Sequence, residues 1–234
     1  MMKAVVLVGG LGTRLRPITF EIPKPLIPVK KRPILNHTIA WLRRHGISEV
    51  ALLASRAHAE DFRRWERAWA DELDGVKITT FFEEKPRGTL GGLPLVRAWM
   101  GSGPVVISNG DDLKDFDVQR MLAHHRRLGG LATVALFRVP DARPYGVPVL
   151  DGDRVVDFLE KPDVPPSDYV NGGLYVFDPV IFDGLDYTKN ELMIERDLLP
   201  MLAKRGQLFA FRDAEARCYD CGTLERWEKA MREW

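Results

Sequence analysis

An unbroken apolar run from Ala4 to Val8, followed at once by Gly9 and Gly10, leaves this chain few ways to fold. A strand that is apolar on both faces must be covered on both faces, which is typical of parallel sheets with helices on either side. Glycines directly after such a strand predict a loop whose backbone approaches a ligand closely. The start of the chain therefore predicts a layered α/β fold with a binding loop after its first strand.

The rest of the first half alternates apolar strands with segments of helical spacing, as layered α/β sheets do. The predicted strands are Lys3–Val8, Glu49–Ser55, Lys77–Phe82, Pro104–Ser108 and Leu131–Val139. The predicted helices are Pro33–His45, His58–Leu73, Leu90–Met100 and Asp117–Leu128. A long loop, from Gly9 to about Arg32, separates the first strand from the first helix, and loops of that length are often functional.

From Gly146 onward the predicted elements become shorter. They are strands Val147–Leu150, Arg154–Leu159 and Gly173–Phe177, a helix Ile194–Lys204, strands Leu208–Arg212 and Arg217–Tyr219, and a last helix Leu224–Trp234. Because no linker separates the two parts, we predict a single two-lobed domain over residues 1–234. Its nucleotide-binding part would end at about residue 140, its smaller lobe would span about 141–215, and the last helix would return to the core.

Composition narrows the classes of partner. The chain has 234 residues, with 34 Lys and Arg against 33 Asp and Glu and a net charge of +1. No bulk attraction to nucleic acid or to an anionic membrane is expected from such a balance. No apolar run approaches the ~18 residues of a membrane span, and the N-terminal run is too short for a signal peptide. We therefore predict a cytoplasmic protein in which a few well-placed cations hold any anionic ligand.

Three features that could suggest chemistry are better explained by packing. Cys218 and Cys221 have the Cys-x-x-Cys spacing, but no second Cys or His pair is evident to complete a zinc site. His125 falls on the apolar face of its helix, so we expect a packed or half-exposed histidine and not a ligand. An apolar stripe on the helix His58–Leu73 is interpreted as core; its members are Phe62, Trp65, Trp69 and Leu73.

The glycine loop does not match the common nucleotide-binding patterns. The dinucleotide pattern G-x-G-x-x-G needs a third glycine where Leu15 stands, and no Gly-Lys-Ser/Thr follows to make a P-loop. Two cations are present instead, Arg14 within the loop and Lys24 between two prolines. A stiff segment that holds a lysine beside a glycine-rich nest suits a triphosphate.

This loop resembles the signature of the sugar-1-phosphate nucleotidylyltransferases, the nucleotide-sugar pyrophosphorylases. The matching pattern is Gly9-Gly10-x-Gly12-Thr13-Arg14-Leu15-x-Pro17-x-Thr19, followed by Lys24-Pro25-x-x-Pro28. Further matches follow in family order: Glu83-x-x-Pro86-x-Gly88-Thr89, Asn109-Gly110-Asp111, Tyr145-Gly146, Phe158-x-Glu160-Lys161-Pro162, Asn171-Gly172-Gly173 and Asp220-x-Gly222-Thr223. The resemblance covers nearly the whole chain. It implies the three-layer, Rossmann-like mixed sheet of the nucleotide-diphospho-sugar transferase (GT-A-like) fold, with a small sugar-binding lobe.

The resemblance also implies a role for each matching residue. The catalytic cations would be Arg14 and Lys24 on the triphosphate and Lys161 on the sugar phosphate and α-phosphate. The nucleotide-binding residues would be Leu7, Gly9, Gly10, Gly12, Thr13, Glu83, Pro86, Gly88 and Thr89. The sugar-binding residues would be Gly146, Glu160, Asn171 and Gly172. The substrates would be a nucleoside triphosphate and a sugar 1-phosphate, and the longer relatives' tetramer-forming extensions have no counterpart here, so a monomer or homodimer is expected.

The implied reaction is attack of a sugar 1-phosphate oxygen on the α-phosphorus of the triphosphate. A phosphate monoester has a second pKa of ~6, so the nucleophile is already an anion. The site then needs cations and Mg²⁺ rather than a general base. Asp111 and Asp220 each follow a predicted strand and are predicted to hold Mg²⁺. Asp112 is the alternative to Asp111, and the family's Gly-Asp pattern favours Asp111.

The choice of base depends on Glu83, which follows the strand Lys77–Phe82. A carboxylate only accepts hydrogen bonds, and guanine offers adjacent N1–H and N2–H₂ donors, so Glu83 favours GTP. If the strand ran one residue longer, Glu84 would become the reader. The resemblance to guanylyltransferases implies mannose 1-phosphate or a manno-heptose 1-phosphate as the acceptor.

Two alternatives stay open. Leu90-Gly91-Gly92 follows Thr89 where guanylyltransferases usually continue with Ala-Gly or Gly-Gly, so a uridylyl- or thymidylyltransferase is the first alternative. The second is a non-catalytic nucleotide-sugar-binding subunit on the same fold.

Overall fold

A computed structural model describes residues 2–213 and 215–234. Its strands are β1 (Lys3–Leu7), β2 (Pro28–Val29), β3 (Arg32–Pro33), β4 (Glu49–Ser55), β5 (Lys77–Glu83), β6 (Val105–Asn109), β7 (Asp112–Lys114), β8 (Ala132–Arg138), β9 (Gly146–Asp151), β10 (Arg154–Glu160), β11 (Tyr169–Phe177), β12 (Leu208–Arg212) and β13 (Cys218–Asp220). Its α-helices are α1 (Ile34–Arg44), α2 (Ala59–Ala68), α3 (Gly88–Gly91), α4 (Arg97–Met100), α5 (Val118–Leu128), α6 (Leu199–Lys204) and α7 (Leu224–Glu233). A π-helical turn over Ile194–Leu198 leads into α6.

In the described residues, nine strands form one mixed sheet in the order β5-β4-β1-β6-β11-β8-β12-β10-β9. β1, β4 and β5 run parallel, with Val5 opposite Ala51 and Ala51 opposite Thr79. β8 is antiparallel to β11 and parallel to β12, while β10 is antiparallel to both β12 and β9. The predicted α/β class with a mixed sheet is confirmed.

The described residues group into two compact units. The first comprises Met1–Pro86, Ser108–Asp115 and Arg217–Trp234, and the second comprises Arg87–Ile107 and Phe116–Ala216. The first unit contains α1, α2 and α7, and the second contains α3 to α6. The single domain with boundaries near residues 140 and 215 stays a prediction.

The C-terminal helix packs within the first unit. An apolar cluster unites the long loop, α1, β7 and α7; its buried members are Val29, Ile34, Leu113, Cys221 and Ala230, and Tyr219, Trp227, Met231 and Trp234 pack against it. The structural interpretation of Cys221 is therefore confirmed, because its thiol lies in this cluster. Leu224, the first residue of α7, is 51% exposed and lies outside this cluster.

Two predicted helices differ in extent from the observed ones. The predicted helix Leu90–Met100 is wrong as one element, because Gly91-Gly92 and Pro94 divide it into α3, a 3₁₀ turn at Leu93–Val96 and α4. α2 is shorter than the predicted His58–Leu73. Of the predicted core stripe, Phe62, Trp65 and Leu73 are buried and Trp69 is half-buried. His125 is buried and its Nδ1 lies 2.9 Å from Thr133 Oγ1, so of the two expected placements it takes the packed one.

Two strands near the predicted site differ from the sequence interpretation. β7 was not predicted; it pairs with β13 in a two-stranded ribbon that sets Asp112 opposite Asp220. β11 begins at Tyr169 instead of Gly173, so Asn171-Gly172-Gly173 lies inside a strand. The register between β11 and β8 shifts between Asn171 and Tyr175, which makes this stretch a bulge and not a turn.

Candidate nucleotide and sugar phosphate site

The glycine loop after β1 is held by close contacts. Gly12 has a φ of +58°, in the left-handed region, and a Cβ there would lie 2.8 Å from the Thr19 Cγ2 atom. Thr19 Oγ1 donates a hydrogen bond of 2.8 Å to the Gly12 carbonyl oxygen. Gly10 and Thr13 are exposed on the same loop. The loop backbone is therefore fixed by the chain's own contacts, as a phosphate-binding nest requires.

Glu83 lies against this loop. It is the last residue of β5, where it pairs with Ser55 of β4, and it is buried. A Cβ on Gly9 would lie 3.0 Å from Glu83 Oε2, so the absence of a side chain at Gly9 leaves room for this carboxylate. β5 thus runs one residue longer than predicted, but Glu84 does not take the place of Glu83. The Glu84 side chain is 75% exposed and lies 3.0 Å from an Arg56 guanidinium nitrogen.

A buried lysine joins the two aspartates that were predicted to bind metal. Lys24 is 5% exposed, and its Nζ lies 2.6 Å from Asp111 Oδ2 and 3.7 Å from Asp220 Oδ1. Burial alone would lower the pKa of Lys24, but the Asp111 carboxylate outweighs it and raises that pKa. Burial would likewise raise the pKa of Asp111, and the Lys24 ammonium outweighs it and lowers that pKa. Lys24 and Asp111 are therefore both held in their charged forms near neutral pH.

Gly110 sets the position of Asp111. Its N–H donates 3.0 Å to the Leu7 carbonyl oxygen, and a Cβ there would lie 2.6 Å from Val6 Cγ1. Leu7, predicted as a nucleotide-binding residue, thus anchors the turn that carries Asp111 through its backbone. The Asp111 side chain remains 41% exposed, so it is accessible to a ligand.

Asp112 is engaged by a different lysine. Its Oδ1 lies 2.7 Å from Lys114 Nζ, and the two side chains are 13% and 1% exposed. Lys114 also donates to Ser108 Oγ at 3.2 Å and to the Asn109 carbonyl oxygen at 3.1 Å. Burial raises the pKa of Asp112 to about 6 against the attraction of Lys114. The arrangement favours Asp111 over Asp112 as the ligand-facing carboxylate.

Asp220 contacts two cations, Lys24 and Arg226, and Arg226 was not predicted from the sequence. Arg226 on α7 donates from Nη1 to Asp220 Oδ2. A Cβ on Gly222 would lie 2.7 Å from both Arg14 Nη2 and Asp220 Oδ1, so Arg14 and this carboxylate both lie against Gly222. Thr223 caps α7 by accepting from the Arg226 N–H at 3.3 Å, which leaves Asp220 outside the cap. The only sequence signal for Arg226 was its place in the first turn after that cap.

In the second unit, Gly146, Glu160 and Lys161 come together at one end of the β9–β10 pair. Glu160 is opposite Gly146, and a Cβ on Gly146 would lie 3.0 Å from Glu160 Oε2. Lys161 Nζ lies 3.2 Å from Glu160 Oε1, and the lysine side chain is 65% exposed. Lys161 has a φ of +50°, a conformation that costs energy in a non-glycine residue and that occurs often at functional sites.

The bulge in β11 carries the other predicted sugar residues. Gly172 packs so closely that a Cβ would lie 2.7 Å from Phe116 Cζ. Asn171 Oδ1 accepts from the Gly173 N–H at 2.9 Å, and Asn171 Nδ2 donates to Tyr175 Oη at 2.8 Å. The amide of Asn171 is therefore fixed at both ends.

Glu195 was not predicted, yet it is bonded to one of the predicted nucleotide residues. Thr89 Oγ1 donates to Glu195 Oε2 at 2.8 Å and accepts from the Ile194 N–H at 2.9 Å. Gly88 has a φ of +82° and packs against Leu192. Thr89 thus uses its hydroxyl within the protein. Pro86, another predicted nucleotide residue, is exposed.

Over residues 2–213 and 215–234, no three or more His, Cys, Asp or Glu side chains come together in a way that could hold a metal ion. Over the same residues, no helix is both long enough and apolar enough to cross a membrane.

The chain belongs to the nucleotidyl transferase family, whose sequence pattern matches residues 3–234. Its resemblance to sugar-1-phosphate nucleotidylyltransferases is confirmed by relatives with established names. It is 36% identical over 213 residues to mannose-1-phosphate guanyltransferase beta-B of Xenopus laevis, covering 89% of this chain and 58% of that protein. It is 37% identical over 227 residues to a mannose-1-phosphate guanylyltransferase of Mycobacterium tuberculosis, covering 96% of this chain and 62% of that protein. The chain thus spans about three fifths of the length of these relatives.

Solved structures agree with the fold. The crystal structure of HddC from Yersinia pseudotuberculosis complexed with GMP-PN superposes with a TM-score of 0.81 at 26% identity, covering 100% of this chain and 99% of that one. The mixed sheet described above is therefore the Rossmann-like sheet of the sugar nucleotidyltransferases.

Proposed function

We propose that this chain is a Mg²⁺-dependent guanylyltransferase that joins GMP from GTP to a mannose-type sugar 1-phosphate and releases pyrophosphate. The observation that carries the proposal is the convergence of Asp111 and Asp220 on the buried Lys24. Three charged groups from distant parts of the sequence meet there, and a core has no need of such a cluster. The names of the relatives from Xenopus laevis and Mycobacterium tuberculosis support the guanylyl assignment and the mannose-type acceptor.

The choice of GTP rests on Glu83. Its buried carboxylate adjoins Gly9, and a carboxylate can accept from the adjacent N1–H and N2–H₂ donors of guanine. Uracil and thymine would bring a carbonyl oxygen against this acceptor. A buried acceptor left unsatisfied costs about 1–3 kcal/mol, which is a preference of roughly tenfold to a hundredfold for GTP.

The metal assignment fits the chemistry of the site. Mg²⁺ prefers one or two carboxylates together with phosphate oxygens and water, and Asp111 and Asp220 are two carboxylates close enough to share one ammonium. Asp111 and Asp220 would hold the ion. When bound, Mg²⁺ would neutralise charge on the triphosphate. Lys24, whose partners would then be shared with the ion, would turn toward the triphosphate oxygens, and Arg14 would bind the leaving pyrophosphate.

The acceptor side requires a cation and hydroxyl-binding groups. The sugar phosphate is itself the nucleophile, so the main task is to bring two anions into line and neutralise the charge that develops. Lys161 would hold the sugar phosphate and the α-phosphate. Glu160 and Asn171 offer a carboxylate and an amide to sugar hydroxyls, and Gly146 leaves space beside Glu160. One bond forms between a sugar phosphate oxygen and the α-phosphorus, and the bond from that phosphorus to pyrophosphate breaks.

A pyrophosphate-release assay tests this function. The purified chain with Mg²⁺ would be given GTP, ATP, CTP, UTP or dTTP, each with mannose 1-phosphate, a manno-heptose 1-phosphate or glucose 1-phosphate. We expect the highest kcat/KM with GTP and one of the two mannose-type acceptors. A preference for UTP or dTTP would replace the guanylyl assignment with a uridylyl- or thymidylyltransferase. Nucleotide binding without pyrophosphate release from any pair would indicate a non-catalytic subunit.

A further inference from the structure

The second unit contains a buried carboxylate that the proposed reaction does not use. Glu195 lies in the π-helical turn before α6 and is enclosed by the chain's own polar groups. Thr89 Oγ1 donates to its Oε2 at 2.8 Å, and Tyr175 Oη donates to its Oε1 at 3.1 Å. Burial raises the pKa of Glu195, while these two hydrogen bonds favour its ionised form.

The hydrogen bonds around Glu195 run in one direction. Asn171 Nδ2 donates to Tyr175 Oη at 2.8 Å, and Tyr175 in turn donates to Glu195. On the other side, the Ile194 N–H donates to Thr89 Oγ1 at 2.9 Å, and Thr89 donates to Glu195. Each donor thus points toward the carboxylate. Chains of this kind polarise one another, and a charged terminal acceptor strengthens each bond.

Two residues of this hydrogen-bond network have expected ligand roles. Asn171 is expected to bind the sugar, and Thr89 belongs to the segment expected to bind the nucleotide. An amide carries two N–H donors, and one of them is committed to Tyr175. Together with the Gly173 N–H, which donates to Asn171 Oδ1, the Tyr175 hydroxyl therefore sets where the second N–H points. Tyr175 is fully buried and stacks on Phe177 with ring centroids 5.2 Å apart, so its hydroxyl has one position.

We infer that Tyr175 and Glu195 are positioning residues for substrate binding: Tyr175 orients the Asn171 amide toward a sugar hydroxyl, and Glu195 holds Tyr175 and the Thr89 segment in place. This inference rests on the proposed function, because it assigns Asn171 to the sugar 1-phosphate. A purely structural contact would be served by apolar side chains at lower cost, since a buried carboxylate has to be compensated by several donors. Here Thr89 and Tyr175 donate to it directly, and each of them accepts a hydrogen bond from a further donor.

The inference predicts different effects for its two members. Tyr175→Phe removes one hydroxyl that acts on Asn171, so we expect the KM for the sugar 1-phosphate to rise about fivefold to tenfold. The KM for GTP and kcat should each stay within about twofold of the wild type. Glu195→Gln also disturbs Thr89, so the KM values of both substrates should rise.

The experiment is steady-state kinetics of the whole chain with GTP and its best sugar 1-phosphate. Tyr169→Phe is the matched control, because Tyr169 lies on the same strand, is half-buried and has the Arg138 guanidinium over its ring. Its kinetic constants should match the wild type. A double variant tests whether Tyr175 acts through Asn171. If it does, the KM for the sugar 1-phosphate of the double variant should be less than twofold above that of Asn171→Ala alone.

Three results would overturn the inference. One is a Tyr175→Phe enzyme with the sugar KM of Tyr169→Phe. Another is a sugar KM effect that multiplies fully with that of Asn171→Ala. The third is a rise in both KM values for Tyr175→Phe together with a lower Tm, which would indicate general loosening. If the wild type itself released no pyrophosphate from any pair, the proposed function would fail first and this inference with it; an active wild type with an unaffected Tyr175→Phe would refute the inference alone.

Discussion

The two compact units bring their candidate site residues together with different kinds of contact. In the first unit, Lys24 lies between Asp111 and Asp220, and Arg226 bonds Asp220 from the other side. In the second, neutral groups of Asn171, Tyr175 and Thr89 converge on one carboxylate. The first arrangement is a set of ion pairs and the second is a set of directed hydrogen bonds.

This difference follows from what each arrangement would have to bind. Ion pairs depend weakly on angle, and their members can exchange one partner for another of the same charge. That property suits a site in which Mg²⁺ and a triphosphate would replace partners within existing ion pairs. Hydrogen bonds depend steeply on angle, which suits the recognition of sugar hydroxyls. The charged cluster is therefore expected to govern turnover and metal use, and the hydrogen-bonded network is expected to govern acceptor binding.

The largest expected effect belongs to Lys161. This residue tests the contrast because it is a candidate catalytic cation that lies in the second unit. Lys161→Ala should lower kcat by about 10²–10³-fold, the loss expected when one preorganised electrostatic partner is removed. Its side chain is 65% exposed, so the Tm should change by no more than about 2 °C. The exposed Lys204→Ala serves as control. Near-normal turnover in Lys161→Ala would remove this residue from the catalytic set.

The two neighbouring aspartates sharpen the comparison within the first unit. Asp111→Asn should raise the Mg²⁺ concentration needed for half-maximal activity by roughly tenfold or more, because one of two carboxylate ligands is lost. Asp112→Asn should change that concentration far less, since Asp112 is engaged by Lys114. Activity measured across a Mg²⁺ titration gives both values. The reverse ranking would show that Asp112 is the metal ligand.

Removal of the metal should separate activity from stability. EDTA should abolish turnover yet leave the Tm unchanged, because Lys24 and Arg226 neutralise the two carboxylates without the ion. Thermal unfolding with and without EDTA checks this expectation. A large fall in Tm on chelation would mean that the ion is structural.

Base selection is the smallest of the expected effects. Glu83→Gln should erode the preference for GTP over UTP and dTTP by roughly tenfold, because an amide can donate to the carbonyls of the other bases. Glu84→Gln is the matched control, since Glu84 is adjacent in sequence but exposed. The readout is kcat/KM for each triphosphate. An altered preference in Glu84→Gln with none in Glu83→Gln would contradict the assignment.

The sequence was most informative where apolar runs are continuous. β4 and β12 have the predicted ends, Glu49–Ser55 and Leu208–Arg212, because each is an apolar stretch bounded by polar residues. β7 was missed because Asp112–Lys114 is three residues long and mostly charged. No periodicity distinguishes such a segment from a loop, and its pairing with β13 is a tertiary event.

Motifs identified candidate residues but not their partners. Lys24 and Asp111 are 87 positions apart, and no local pattern relates residues at that distance. Glu195 lay outside every matched motif, and it joins the network only through the folded positions of Tyr175 and Thr89. The motifs therefore indicated candidate residues, but they carried no information on the contacts that hold each one.

The central claim, transfer of a nucleotidyl group to a sugar 1-phosphate, is tested most directly by following the α-phosphorus. The chain would be incubated with Mg²⁺, mannose 1-phosphate and GTP that carries ³²P at the α-phosphate, and in parallel with GTP labelled at the γ-phosphate. Attack at the α-phosphorus predicts that the α label moves into a nucleotide sugar while the γ label leaves as pyrophosphate. Recovery of the γ label as inorganic phosphate, with the α label remaining in GDP, would contradict the account.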